Sequence, residues 1–247
     1  MPGHTGTPGA DRFPETRASV LQKIRDGGEA ERREAFDLLA TAYWRPVYAY
    51  VRLRWRAEPA DAEDLTQGFL AAAWEKAFFT SYDPARARFR TFLRTCLDRH
   101  VQNHRKAARA QKRGGGRLLL SLDFSLAEGE LRGREAVDPM DTEAFFQREF
   151  VRELFAAAVG QLRAELDARG RGVVFAVFER YDLGPEDGAG YADIARALDL
   201  PVTQVTNHLH AARRRFREIV LGRLRELSGS EPEFRDEARE ILGLELG

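Results

Sequence analysis

The sequence predicts an all-α protein of two small helical domains joined by a linker. Apolar residues recur at helical spacing through both halves of the 247-residue chain, with no strand pattern between them. Connections between the periodic segments are short and rich in Gly, Pro and Asp. Gly114-Gly115-Gly116, and the acid- and turn-rich stretch that follows to Met140, divide the chain into two blocks. The expected layout is a disordered N-terminus over residues 1–15, a first helical domain over 16–113, and a linker over 114–140. A second helical domain over 141–226 and a tail over 227–247 complete it.

Composition narrows the class. Thirty-nine basic and thirty-nine acidic residues cancel to no net formal charge. The cancellation hides segregation, because residues 83–113 are strongly basic and residues 121–167 are mostly acidic. A single cysteine excludes an internal disulfide framework and any zinc site built on cysteine pairs. No apolar run approaches the ~20 residues of a membrane span, and the N-terminus has no apolar signal core, so a soluble, cytoplasmic protein is expected.

The first elements are core builders. Val20, Leu21 and Ile24 form a small apolar patch stopped by Gly27-Gly28, and Phe36, Leu38 and Leu39 lie on the next helix. Pro46 suits the first turn of a new helix, where its missing N–H costs nothing, so a helix start is expected there. Val47, Tyr48, Tyr50, Val51, Leu53 and Trp55 follow as core residues. After the break at Arg56 to Pro59, Asp61 to Phe79 is a helix with Asp61, Glu63 and Asp64 at the positive end of its dipole. Leu65, Phe69, Ala72, Ala73 and Lys76 share one side, with Asp61, Asp64 and Gln67 projecting nearby.

The segment from Asp83 to Arg113 opens with a turn at Asp83-Pro84 and continues as one helix. Phe89, Phe92, Leu93, Cys96, Leu97 and Val101 make a stripe that must be buried. Arg86, Arg88, Arg90, Arg94, Arg99, Arg105, Lys106, Arg109, Lys112 and Arg113 surround it, with Asp98 the only acid beyond Pro84. Such a face is either solvated surface or a nucleic-acid surface. The linker is expected to hold at most a local hairpin or helical turn.

The second block starts at Asp141-Thr142, both N-cap residue types, with Phe145, Phe146, Phe150, Val151, Leu154, Phe155, Ala158 and Leu162 as its stripe. Val173 to Tyr181 is a further helix. Tyr191 to Arg217 then has the pattern of a helix-turn-helix. Ile194, Ala195 and Leu198 face inward, Asp199-Leu200-Pro201 turns, and Val205, Leu209, Ala212 and Phe216 define one buried face. Thr203, Gln204, Thr206, Asn207, His210, Arg213 and Arg214 point outward, with hydrogen-bonding side chains at the helix start and arginines at its end. The start suits base edges and the end suits phosphates.

Three stretches together resemble a bacterial RNA polymerase sigma factor of the extracytoplasmic-function type. DAEDLTQGFLAAAWEK resembles that family's polymerase-binding helix. YDPARARFRTFLRTCLDRHVQNHRK resembles its minus-ten segment, and YADIARALDLPVTQVTNHLHAARRRFR its minus-thirty-five helix-turn-helix. The resemblance covers about residues 30–113 and 143–220. It implies a region-2-like N-terminal four-helix domain and a region-4-like C-terminal domain. It also implies a promoter-specificity subunit that binds core polymerase, recognises two promoter elements and helps melt one.

By resemblance, Asp61, Asp64, Leu65, Gln67 and Phe69 dock the polymerase. Residues 80–88 form the loop that holds an extruded promoter base. Arg86, Arg88, Arg90, Arg94, Arg99, Asn103, Arg105 and Lys106 meet the minus-ten strand. Thr203, Gln204, Asn207 and His210 read the upstream element, with Arg213, Arg214 and Arg217 on phosphates. Core RNA polymerase and promoter DNA are the implied partners, with an anti-sigma factor as a further one. Gly68 stands where the family usually has an acid, Phe92 replaces a common Trp, and Asp199 takes the usual Gly of the turn.

No Ser-His-Asp order, Walker loop or dinucleotide glycine pattern is present, so neither an enzyme nor a cofactor is expected. His100 and His104 have a metal-ligand spacing but no further nearby ligand except Cys96 on the buried stripe, so no metal is expected either. The alternative reading is a dimeric helix-turn-helix regulator that acts without core polymerase. The acidic tail, with Phe234, Ala238, Ile241 and Leu242 at helical spacing, is expected to fold back on a basic face and restrain DNA binding.

Overall fold

The computed structural model describes residues 19–75, 78–110, 122–131, 141–185 and 188–244. The expectations for residues 1–15, Lys76, Lys112, Arg113, the Gly114–Gly116 stop and the rest of the linker outside 122–131 lie outside those residues. Every regular element among the described residues is helical.

Helix α1 (Val20–Asp26) starts on Ser19, whose hydroxyl accepts from the Gln22 N–H while the Gln22 side chain accepts from the Ser19 N–H. Helix α2 (Glu29–Arg54) runs through the expected break, with Pro46 inside it. A proline there removes one backbone hydrogen bond and costs about 3 kcal/mol. Burial of Tyr43, Trp44, Val47, Tyr48, Tyr50 and Val51 on both sides of it outweighs that, at roughly 1.5–3 kcal/mol for each large apolar side chain.

Helix α3 (Pro59–Glu75) begins on a proline, as a first turn allows. A short 3-10 turn, Phe78–Ser81, follows. Helix α4 (Phe89–Ala110) begins later than the sequence suggests. Asp83 accepts from the Ala85 N–H through its side chain and from the Arg86 N–H through its carbonyl, which holds residues 83–87 in turns. Arg86 and Arg88 therefore stand on the turn ahead of the helix.

Within the expected linker, helix α5 (Phe124–Leu131) packs on α2. Phe124 sits edge-on to Trp44 with ring centres 5.4 Å apart. Glu128 accepts from Tyr48 Oη at 2.8 Å and from Arg52 Nη2 at 2.7 Å.

The second half holds α6 (Thr142–Ala168), α7 (Gly172–Asp182), α8 (Tyr191–Leu198) and α9 (Val202–Leu227). Asp199 closes α8 in the left-handed conformation at φ 52°, the geometry its side chain tolerates better than most. The tail forms α10 (Glu231–Leu242), capped by Ser230.

The two halves share one continuous core. Tyr43 of α2 stacks on Phe150 of α6 at 5.2 Å, and Tyr50 meets Phe146 edge-on at 5.6 Å. The amphipathic stripe of α6 therefore closes the N-terminal helices as well as its own.

Candidate nucleic-acid interface

Helix α4 buries Phe89, Leu93, Leu97 and Val101, while Phe92 and Cys96 are half-buried at the margin. That leaves its basic side to be sorted by what faces it. In the C-terminal part, Arg99, Asn103, Arg105 and Lys106 are exposed. Arg105 lies over the Trp55 ring at 4.8 Å and donates to the Trp55 carbonyl. Arg86 is exposed on the turn and pairs with Asp83 at 3.4 Å.

The N-terminal part is different. Arg94 donates to Glu143 of α6 at 2.6 Å and to Asp98 at 2.9 Å. Asp98 also accepts from Tyr50 Oη at 3.1 Å and Trp55 Nε1 at 3.0 Å, so it ties α4 to α2. Arg90 corrects the sequence reading, because it is only 3% exposed. It lies 4.2 Å over the Phe150 ring, donates to Gln147 at 2.8 Å and sits 2.7 Å from Glu237 of α10. This last contact is a close ion pair rather than an aligned hydrogen bond. Arg88 forms a two-pronged pair with Glu240, both prongs at 2.7 Å.

Glu233 completes the cluster. It accepts from the Phe89 N–H at 2.6 Å, from Tyr82 Oη at 2.9 Å and from the Gly229 N–H at 2.8 Å. The approach needs a glycine at 229, since a Cβ there would lie 2.3 Å from the Tyr82 ring. The acidic tail thus folds back on the basic helix as expected. Its individual carboxylates were not foreseen, although segregated charge was the signal. Burial pushes the Glu237 carboxyl up to about 7, against the pull of Arg90. The Arg88 fork holds the Glu240 carboxyl below its usual range.

On α3, Asp61 and Asp64 are exposed and Gln67 is half-exposed. Leu65 and Phe69 are buried in the core, and Phe69 packs edge-on against His100 at 5.7 Å. These two apolar residues position the helix and are not a docking surface in this conformation. Their spacing is shared by a core stripe and a docking stripe, so sequence could not separate the two.

Helices α8 and α9 are joined by the short turn Asp199 to Pro201. Ile194 and Ala195 of α8 pack with Val205, Leu209 and Ala212 of α9. Phe216 is half-buried between Phe155 and Phe178. Thr203, Gln204, Asn207 and His210 lie exposed along the start of α9, with Arg213, Arg214 and Arg217 exposed further on. Arg213 is held by Asp182 at 2.6 Å and lies 5.2 Å over Tyr181, so it is tied to α7. Arg214 and Arg217 make no ion pair among the described residues. Arg215, absent from the sequence reading, clamps α9 to α6 by donating to Glu165 at 2.7 Å.

Among the described residues, no group of His, Cys, Asp and Glu is arranged to hold a metal ion, and no helix is long and apolar enough to cross a membrane. No curated protein matches the chain. Residues 39–111, from the middle of α2 through α4, match the family model of Sigma-70 region 2, so this part of the chain is similar to the promoter-recognition segment of sigma-70 factors.

Proposed function

We propose that the chain is a promoter-specificity subunit of bacterial RNA polymerase, of the extracytoplasmic-function type. The observation that carries the reading is one combination in one chain. A Sigma-70 region 2 segment is followed, in the second half, by a helix-turn-helix with polar residues at the start of α9 and arginines beyond them. The protein binds core polymerase through α3, with the exposed carboxylates Asp61 and Asp64 in its N-terminal part. The α4 surface with Arg99, Asn103, Arg105 and Lys106 takes the separated minus-ten strand. Thr203, Gln204, Asn207 and His210 read base edges of the upstream element, and Arg214 and Arg217 meet its phosphates. The subunit supplies recognition and strand capture in the cytoplasm and performs no catalysis of its own.

Gel filtration with core polymerase tests this reading. The protein is expected to comigrate with core enzyme. Elution as its own dimer, with core enzyme running separately, would instead indicate a regulator that works without polymerase.

A further inference from the structure

The start of α4 gathers donors of a particular kind. The Phe89 N–H, the Tyr82 hydroxyl and the Arg88 guanidinium are all satisfied by carboxylate oxygens, and Arg90 pairs with a third carboxylate. An arginine fork, a helix-start N–H and a hydroxyl are also what a phosphate accepts from. The carboxylates all come from α10, whose sequence EPEFRDEAREIL carries five acids against two arginines, a net charge of −3. Its buried apolar anchors are Phe234 and Ala238, and it hangs from α9 by the short connection Ser228 to Ser230. A short acidic helix with few apolar anchors, placed on a set of phosphate-type donors, is a detachable cover.

We propose that α10 is an internal competitor of the DNA strand: Glu233, Glu237 and Glu240 occupy donors at the start of α4 that otherwise receive strand phosphates, so tail docking and strand binding there exclude each other. The inference rests on the reading that the α4 surface meets DNA. When α10 leaves, Arg88 loses its partner at the surface. Arg90 is left as a buried cation without its carboxylate, which favours an incoming anion over an empty site. Binding of the strand and release of the tail are then two sides of one exchange.

The test uses the full chain with Phe234→Asp and Ala238→Asp together. These changes place charge at both buried anchors and eject α10. They also make the protein more acidic, so any gain in DNA affinity cannot come from added positive charge. Rapid tryptic cleavage after Arg235 and Arg239 reports release, and binding of a labelled single-stranded oligonucleotide of mixed sequence is followed by anisotropy across a salt series. The double variant is expected to bind roughly tenfold tighter, with a salt dependence steeper by about 0.7 for each phosphate newly contacted. A released tail with unchanged or weaker binding would overturn the proposal.

Glu240→Gln serves as a second variant, since it frees the Arg88 fork and leaves the apolar anchors in place. It is expected to tighten binding by about two- to threefold, and equal affinity would count against the competitor in the same way. Core polymerase run beside both proteins separates the two readings. Failure of wild type and variant alike to comigrate with core enzyme speaks to the promoter-subunit assignment, whereas equal oligonucleotide affinity speaks to the tail.

Discussion

Arg94 and Arg99 stand five positions apart on α4 and meet different surroundings. Arg94 bridges Glu143 and Asp98, whereas Arg99 is exposed. Reversing Arg94 to Glu therefore sets like charges together and should cost about 1–3 kcal/mol of stability, seen as a lower midpoint in urea. Reversing Arg99 and Lys106 should leave the midpoint within about 0.5 kcal/mol and weaken strand binding at low salt. Glu165 offers a second check. Hydrogen bonds from Arg215 and Gln161 pull its carboxyl down to about 2, from an ordinary value of 4.5. Its contribution is present above pH 4.5 and is lost as pH falls toward 2. Glu165→Gln should melt earlier than wild type at pH 7, and the gap should close over that acid range. At this scale the sequence revealed which residues were basic but not which were engaged. The partners Glu143, Glu237 and Asp182 lie far away in the chain and reach the arginines only through the fold.

Elements were legible where periodicity and punctuation agreed. Helices α8 and α9 meet across Asp199 in the left-handed conformation, and Ile194, Val205 and Leu209 are buried on their inward faces as their spacing predicts. Asp199→Val should cost about 1–2 kcal/mol in thermal unfolding, since a β-branched residue resists that conformation. Pro46 misled because its local cost is smaller than the aromatic burial around it, and α2 continues through it.

The docking of α10 should depend on pH. Glu237 faces Arg90 of α4, Arg88 on the turn ahead of it, Tyr43 of α2, Ser228 before α10, and Glu233 on its own helix. Its folded value near 7 lies above the ordinary 4.5, so its protonated form favours the docked state. That stability is fully present below pH 4.5 and is lost as pH rises through about 7. Hydrogen exchange of α10 amides, corrected for intrinsic rates, should show on the order of 30-fold more protection at pH 5.5 than at pH 8. Glu237→Gln should flatten the difference.

At the scale of the whole molecule, the expectation of two helical units held, but the core that joins them was not visible beforehand. The stripe of α6 was evident from Phe145, Phe146 and Phe150, yet periodicity says only that a face is buried and not against what. Tyr43 on Phe150 and Tyr50 on Phe146 show that the partner is α2. Phe150→Ala should therefore cost about 3–5 kcal/mol and lower both halves together, in one calorimetric transition. Two separated transitions would mean that the halves unfold independently.

The role proposed for this chain is to direct polymerase to promoters. Run-off transcription with core enzyme on genomic fragments tests it most directly. Discrete transcripts that depend on this protein, weakened by reversal of Arg99 and Lys106 and by substitution of Asn207 and His210, are the predicted result. No stimulated initiation on any fragment, with core enzyme active in the presence of its usual specificity subunit, would contradict it.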